Sequence, residues 1–215
     1  MTMEKIAIVG AGGFAREILT LINDINKKNP TYEVVGFVDS NKEQTIHGLP
    51  VIGNDEEVNA TTEPLSLAIA VGEPHLKEKI HKKFNNPLIS FPSLVHPSVI
   101  IGDEESVKIG QGCIVCAGNI LTTDIQLHDF VTLNLMCSVG HDTEINDYAS
   151  FMPSVNISGE VKVNKGVYVG TGAKIINLVE IGENTIVGAG AVVAKSLPAD
   201  CTAVGVPAKP IKFHK

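Results

Sequence analysis

The sequence predicts a small parallel α/β domain over residues 1–92 followed by a three-sided parallel β-helix over residues 93–215. Three observations carry that prediction. From Ile109 to Val193 every sixth residue is bulky and apolar, fifteen consecutive positions without an insertion. Two residues before each stands a second set, running from Val107 through Cys113, Asn119 and Ile125 to Ala191, that is mostly small or β-branched. Ahead of this repeat, an apolar run ends in a glycine turn and passes into a helical pattern, the opening of a strand, turn and helix unit.

Taken in order, Lys5 to Val9 reads as a buried strand, Gly10-Ala11-Gly12-Gly13 as a tight turn, and Phe14 to Asn26 as a helix. A second strand, Glu33 to Val38, ends in Asp39, and a third, Ser66 to Val71, ends in Gly72. Glu73 to Phe84 is the last helix and Leu88 to Phe91 a short strand leading out, with Pro92 and Pro97 marking the junction. Strand, helix, strand at this spacing implies a parallel sheet with a ligand crevice at the carboxyl ends of its strands. Gly10-x-Gly12-x-x-Ala15 with Asp39 downstream fits a fingerprint in which a helix N-terminus receives a phosphate and an acid receives a ribose hydroxyl. The region is too short for a second mononucleotide half and a catalytic domain. Three readings stand for the turn: a nucleotide-linked substrate site, a purely structural turn, and an NAD site.

Neither a helical period nor simple alternation accounts for both sets of the repeat, whereas short strands joined by tight corners do. One large and one small inward residue per hexapeptide suits one face of a triangular prism. Three faces close a coil, and the fifteen units give about five coils stacked at roughly 4.8 Å. The repeat begins earlier, at Val95 and Ile101, with two extra residues near Asp103, Glu104 and Glu105.

Composition narrows the function. The 215 residues are 44% apolar, but the apolar residues are spread through the repeat and form no membrane span. The apolar start is too short for a signal peptide, so a cytoplasmic protein is expected. A net charge of −7 with no basic run argues against nucleic acid as a partner. Cys113 and Cys137 fall in the inward set, and Cys113-x-x-Cys116 lacks a second Cys or His pair at zinc spacing, so no metal is expected.

Chemistry is then sought in departures from the repeat. Gly140-His141-Asp142 places an imidazole at a corner with a carboxylate beside it, a pair suited to general-base work. One coil earlier the equivalent residue is Thr123, and one coil later it is Gly159, which leaves room below the ring. On the residues alone, a solvated corner histidine remains the competing reading.

The GAGG turn, the hexapeptide repeat, Asn134 seven residues before His141-Asp142, the run Val187 to Val193 and the tail Gly205-Val206-Pro207-Ala208-Lys209 together resemble the hexapeptide-repeat sugar acyltransferases. These include nucleotide-amino-sugar N-acetyltransferases of the bacillosamine and perosamine type and sialic acid O-acetyltransferase-like relatives. The resemblance covers essentially the whole chain. It implies a Rossmann-like N-terminal domain and a left-handed β-helix, a hand that departs from the usual right-handed crossover. It also implies that His141 is the catalytic base, that Asp142 is the acid that strengthens it, where many relatives carry Glu, and that Asn134 belongs to the acceptor site. The acceptor's nucleotide is expected at Gly12, Gly13, Asp39 and Gly72. The co-substrate acetyl-CoA is expected in a groove between adjacent β-helices of a homotrimer, near Ser150, Thr171 and Ala189. Relatives often have histidine where Phe14 and Ser150 stand: the first departure bears on the nucleotide contacts, and with the second no second imidazole is expected at the thioester.

The implied reaction is direct acetyl transfer to the amine of a nucleotide-linked sugar, without a covalent enzyme intermediate. Two alternatives accompany it: O-acetylation of a sialic acid or similar sugar by the same base, and a non-catalytic β-helix scaffold, which intact His141-Asp142 and the GVPAK tail oppose.

Overall fold

The computed structural model describes residues 3–42 and 45–214, which fall into two compact units, Met1–Pro97 and Ser98–Lys215. The first unit runs β1 (Glu4–Val9), α1 (Gly13–Lys28), β2 (Tyr32–Val38), β3 (Thr45–Ile46), β4 (Leu49–Gly53), α2 (Asp55–Asn59), β5 (Leu65–Ile69), α3 (Pro74–His81) and β6 (Ile89–Ser90). Its strand order is β3-β4-β2-β1-β5-β6, parallel throughout except for the β3–β4 hairpin. Ile6, Ala7, Ile8 and Val9 are buried in the central strand, as a parallel strand covered on both faces requires. Helix α1 turns Ala15, Ile18, Leu19 and Ile22 inward, the spacing of a single helical face, and ends with Lys27 and Lys28, whose charges suit the negative end of the helix dipole.

Two elements of this unit were not expected from sequence. The β3–β4 hairpin turns on His47 and Gly48, both with positive φ, the backbone that a two-residue hairpin needs. Helix α2 is short but carries a reciprocal cap: Asn54 Oδ1 accepts the Glu57 N–H at 3.0 Å, and a Glu57 carboxylate oxygen accepts the Asn54 N–H at 3.0 Å.

The second unit is a parallel β-helix of two-residue strands that ends in an antiparallel pair, Cys201–Val204 with Lys209–Phe213. Residues 18 apart pair in register, as in Gln126 with Glu144, Thr132 with Ser150, and Ser138 with Asn156. At its start Ile101 pairs with Leu121, 20 residues on, whereas Ile109 pairs with Leu127, 18 on, which locates the two-residue insertion between those strands. The bulky set is buried from Val115 to Val193, and the whole second set is buried from Val107 to Ala191. The polar members of the second set are satisfied internally: Asn119 donates to the carbonyls of Cys116 at 2.7 Å and Asn134 at 2.9 Å and accepts the Cys137 N–H, and Thr185 donates to Pro198 O at 2.6 Å. Corners recur in the left-handed region every sixth residue, among them Asp124, Phe130, Met136, Asp142 and Tyr148. Side chains other than glycine are held there by corner N–H bonds to the coil before, as Phe130 N–H donates to Gln111 O at 2.8 Å and Asp124 N–H to Ser106 Oγ at 2.9 Å.

Candidate active site

His141 stands at one of these corners with its backbone fixed from both sides. The Gly140 N–H donates to Ile157 O at 2.9 Å, and the His141 carbonyl accepts from Glu160 N–H at 2.8 Å. The inward neighbour Thr143 anchors the turn through its hydroxyl, which donates to Ser158 O at 3.2 Å. Asp142, at φ 55°, swings its carboxylate onto the ring: His141 Nδ1 and Asp142 Oδ2 are 2.8 Å apart, with both side chains more than half exposed. A carboxylate accepts only, so Nδ1 carries the proton and the Nε2 lone pair is left to accept one. The ring lies over Gly159, one coil on.

The other expected residues are placed unequally. Asn134 is buried, with Oδ1 accepting the Leu135 N–H at 2.7 Å and its carbonyl held by Asn119. Thr171 and Ala189 are exposed and stack at one corner, where Gly190 N–H donates to Thr171 O at 2.8 Å. Ser150 is fully buried on a strand between Thr132 and Tyr168, so its side chain presents no surface to a ligand in this chain. Lys174 is tied down by Ser154 O at 3.0 Å and by Asn156 Oδ1.

The thiols and two further imidazoles, His128 and His96, have surroundings that account for them. All four cysteines are buried and none forms a disulfide, and burial pushes the Cys137 thiol up to about 11 while its Sγ donates to Met152 O at 3.3 Å. Such a thiol is not a nucleophile near neutral pH. His128 Nε2 lies 3.1 Å from Glu144, and His96 Nε2 lies 3.2 Å from Asp24, whose carboxyl is held below the usual range by hydrogen bonds from Lys27 and His96.

In the α/β unit a cleft of about 780 Å³ opens at the carboxyl ends of β1 and β2. Gly10, Asp39 and Ser40 form its floor, the start of α2 one wall, and Leu76, Ile80 and Lys83 of the α3 side another. Gly10 sits at φ 106°, a backbone that glycine adopts freely, and its N–H donates to Val38 O at 2.9 Å, which locks the ends of β1 and β2 together. Asp39 uses one carboxylate oxygen to accept Asn41 N–H at 3.1 Å. Lys83 pairs with Asp55 at 2.6 Å across 28 residues, a juxtaposition that no local sequence signal announces. Gly12 and Gly13 begin α1, which has neither a side-chain cap nor an acid in its first turn, and Gly72 follows β5; none of the three lines the cleft. A Cβ on Gly12 would meet nothing within 4 Å, so packing inside the chain does not demand glycine there.

A family model described as the PglD N-terminal domain matches residues 5–84. The chain is 27% identical to the GDP-perosamine N-acetyltransferase of Escherichia coli O157:H7 over 218 residues, covering 98% of this chain and 97% of that one. PerB from Caulobacter crescentus, solved in complex with CoA and GDP-perosamine, is 31% identical with a TM-score of 0.87, covering 98% of this chain and 99% of its own. The chain belongs to the hexapeptide-repeat sugar acyltransferases. The acetyltransferase domain of PglB from Neisseria gonorrhoeae FA1090 agrees at a TM-score of 0.89 and 28% identity, covering 97% of this chain and 100% of that one, and is also solved with acetyl coenzyme A. This acyltransferase accordingly has the left-handed β-helix of its family, and the ligand its relatives hold is CoA or acetyl-CoA. Two further structures of the Caulobacter enzyme, with the same ligands, are of mutants in which one histidine is replaced by asparagine or alanine. Among the described residues of this chain no cluster of three metal-binding side chains occurs, and no helix is long and apolar enough to cross a membrane.

Proposed function

We propose that the protein is an acetyl-CoA-dependent N-acetyltransferase for a nucleotide-linked amino sugar, with His141 as general base, serving bacterial surface glycan or glycoprotein synthesis. The observation that carries the reading is the His141 corner. Its imidazole is fixed through Nδ1 by Asp142 at 2.8 Å with Nε2 left as acceptor, in a chain that matches PerB, solved with CoA and GDP-perosamine, from end to end.

The amine lone pair attacks the thioester carbonyl carbon, and His141 Nε2 takes the proton as the tetrahedral intermediate forms. The C–S bond then breaks and the sulfur leaves as the thiol of CoA, receiving the proton from the imidazolium. General-base help of this kind contributes about 10² to 10⁴-fold, and positioning of the two substrates supplies much of the rest. Asp142 keeps the ring in the useful tautomer and stabilises the imidazolium. Asn134, with Oδ1 committed to Leu135, offers its amide Nδ2–H to the acceptor sugar. The exposed corner of Thr171 and Ala189 offers backbone groups to the pantetheine chain.

The nucleotide belongs at the carboxyl edge of the α/β sheet, with Asp39 in the cleft for a ribose hydroxyl and, beyond the cleft lining, the uncapped start of α1 at Gly12 and Gly13 for phosphate. An open Gly12 that the fold itself does not need supports that assignment. The working form is a cytoplasmic homotrimer. Ile100 and Ile120, paired in register and 58% and 42% exposed, give one face of the β-helix an apolar stripe that a neighbouring subunit would cover.

The test is thiol release from acetyl-CoA against UDP-, dTDP- and GDP-linked amino sugars and free sialic acid. Turnover of one nucleotide amino sugar with an N-acetyl product is expected. Turnover of sialic acid alone would move the chain to the O-acetylating relatives, and no turnover of any acceptor would favour a non-catalytic β-helix.

A further inference from the structure

We infer that Gly159 is a positioning residue for the general base: the side chain it lacks leaves the seat on which the His141 imidazole rests. The inference rests on the reading of His141 as base. Residues 141 and 159 are stacked corners, since Glu160 N–H donates to His141 O at 2.8 Å and Leu178 N–H to Gly159 O at 3.3 Å. A Cβ built on Gly159 would lie 2.5 Å from His141 Nε2, 2.6 Å from Cε1 and 2.9 Å from Cδ2. The three nearest atoms all belong to the imidazole and none to the backbone.

Gly140, one residue before the base, makes the contrast. A Cβ there would lie 2.6 Å from the backbone nitrogen of Gly159 and 2.7 Å from the carbonyl carbon of Ser158, so glycine at 140 is demanded by the close approach of two coils. At 159 the backbone makes no such demand. Its φ is outside the left-handed region, and the same corner one coil before His141 and one coil after Gly159 carries Thr123 and Asn177.

A side chain at 159 is therefore accommodated by the one group able to move, the ring. Rotation of χ1 lifts Nε2 from its position and draws Nδ1 away from the Asp142 carboxylate now 2.8 Å distant. Misplacing a catalytic group by about 1 Å costs on the order of a hundredfold in rate. Such a residue lies against the base, and what its Cβ displaces is the ring, so the effect of a side chain there passes through His141.

The experiment is a double-mutant cycle on the full-length protein with Gly159→Ala, His141→Ala and the double variant. It reads kcat, KM for acetyl-CoA and the melting temperature, with the nucleotide amino sugar turned over in the acceptor panel. Gly159→Ala is expected to lower kcat by roughly thirtyfold to a hundredfold with KM for acetyl-CoA within about twofold. In the His141→Ala background the same substitution is expected to change neither kcat nor melting temperature, because the atom it displaces is gone. Should Gly159→Ala fail to fold, the double variant decides: it folds if the ring is the obstruction and fails if glycine is needed by the backbone. Wild-type kcat in Gly159→Ala, or an equal loss in both backgrounds, overturns the inference and leaves His141 as base. Wild-type turnover in His141→Ala alone overturns the reading on which it rests.

Discussion

In the α/β unit the cleft is assembled from four separated stretches, residues 9–10, 38–40, 54–59 and 76–83, while in the β-helix the proposed base and its carboxylate are consecutive residues on one corner. The difference follows from how each unit closes its core. A doubly wound sheet buries whole strands, so only their carboxyl ends and the loops behind them meet a ligand. A hexapeptide coil buries two residues in six and repeats, so each corner is interchangeable for the fold, and a function attaches wherever one corner departs from the pattern. Changes in the β-helix should therefore separate cleanly into those that cost stability and those that cost turnover, whereas changes at cleft residues of the α/β unit should cost both.

Phe151→Ala probes the stability side of that contrast most severely. The ring is fully buried in the bulky inward set, and its loss should destabilise the protein by about 3–5 kcal/mol in a denaturant melt. At a temperature where the variant is folded, turnover should be unchanged. A variant with wild-type stability would mean that the coils collapse around the cavity and that the interior is less tightly specified than its burial indicates.

Asp39→Ala probes the α/β unit. Removing one hydrogen bond from a charged acceptor to a ribose hydroxyl should weaken nucleotide-sugar binding by roughly tenfold, an effect of about 1.5 kcal/mol, with KM for acetyl-CoA unaltered. Because Asp39 also accepts Asn41 N–H, a small loss of melting temperature should accompany it. Unchanged binding with the same loss of stability would assign Asp39 to its own turn and remove it from the site.

The smallest effect is expected at Cys137, four residues before His141. With its thiol pushed up to about 11 by burial, it should resist iodoacetamide at pH 8 in the native protein and react only after unfolding, as peptide mapping would show. Fast alkylation accompanied by loss of activity would instead point to a thiol in the chemistry.

The fold was legible because its signals are local and repeated. Val115 to Val193 announced the inward face at every sixth position, and the extra residues near Asp103 announced the break that shifts the Ile101 pairing to 20 residues. The β3–β4 hairpin and α2 were missed although both carry signals, the His47-Gly48 turn and the Asn54-x-x-Glu57 cap, because elements of two to five residues show no hydrophobic period. Of the candidate site, His141-Asp142 and Asp39 stood out as a polar pair at a corner and an acid at a strand end. Ser150 is the instructive case. It sits on a strand between the inward Ala149 and Phe151 and the structure buries its side chain completely, while the contact expected there is with backbone groups, on which that burial does not bear. Periodicity gives the direction of a side chain and says nothing of what lies against it. The Lys83 wall of the cleft was invisible for a similar reason, since its partner Asp55 lies 28 residues away in sequence.

The most direct test is steady-state acetyl transfer by His141→Ala at saturating acetyl-CoA and nucleotide amino sugar, beside wild type of equal melting temperature. A loss of kcat of about 10² to 10⁴-fold with both KM values within a few-fold is expected of a general base. A kcat within about threefold of wild type would contradict it, and would leave the binding and alignment of the two substrates as the whole of the catalysis.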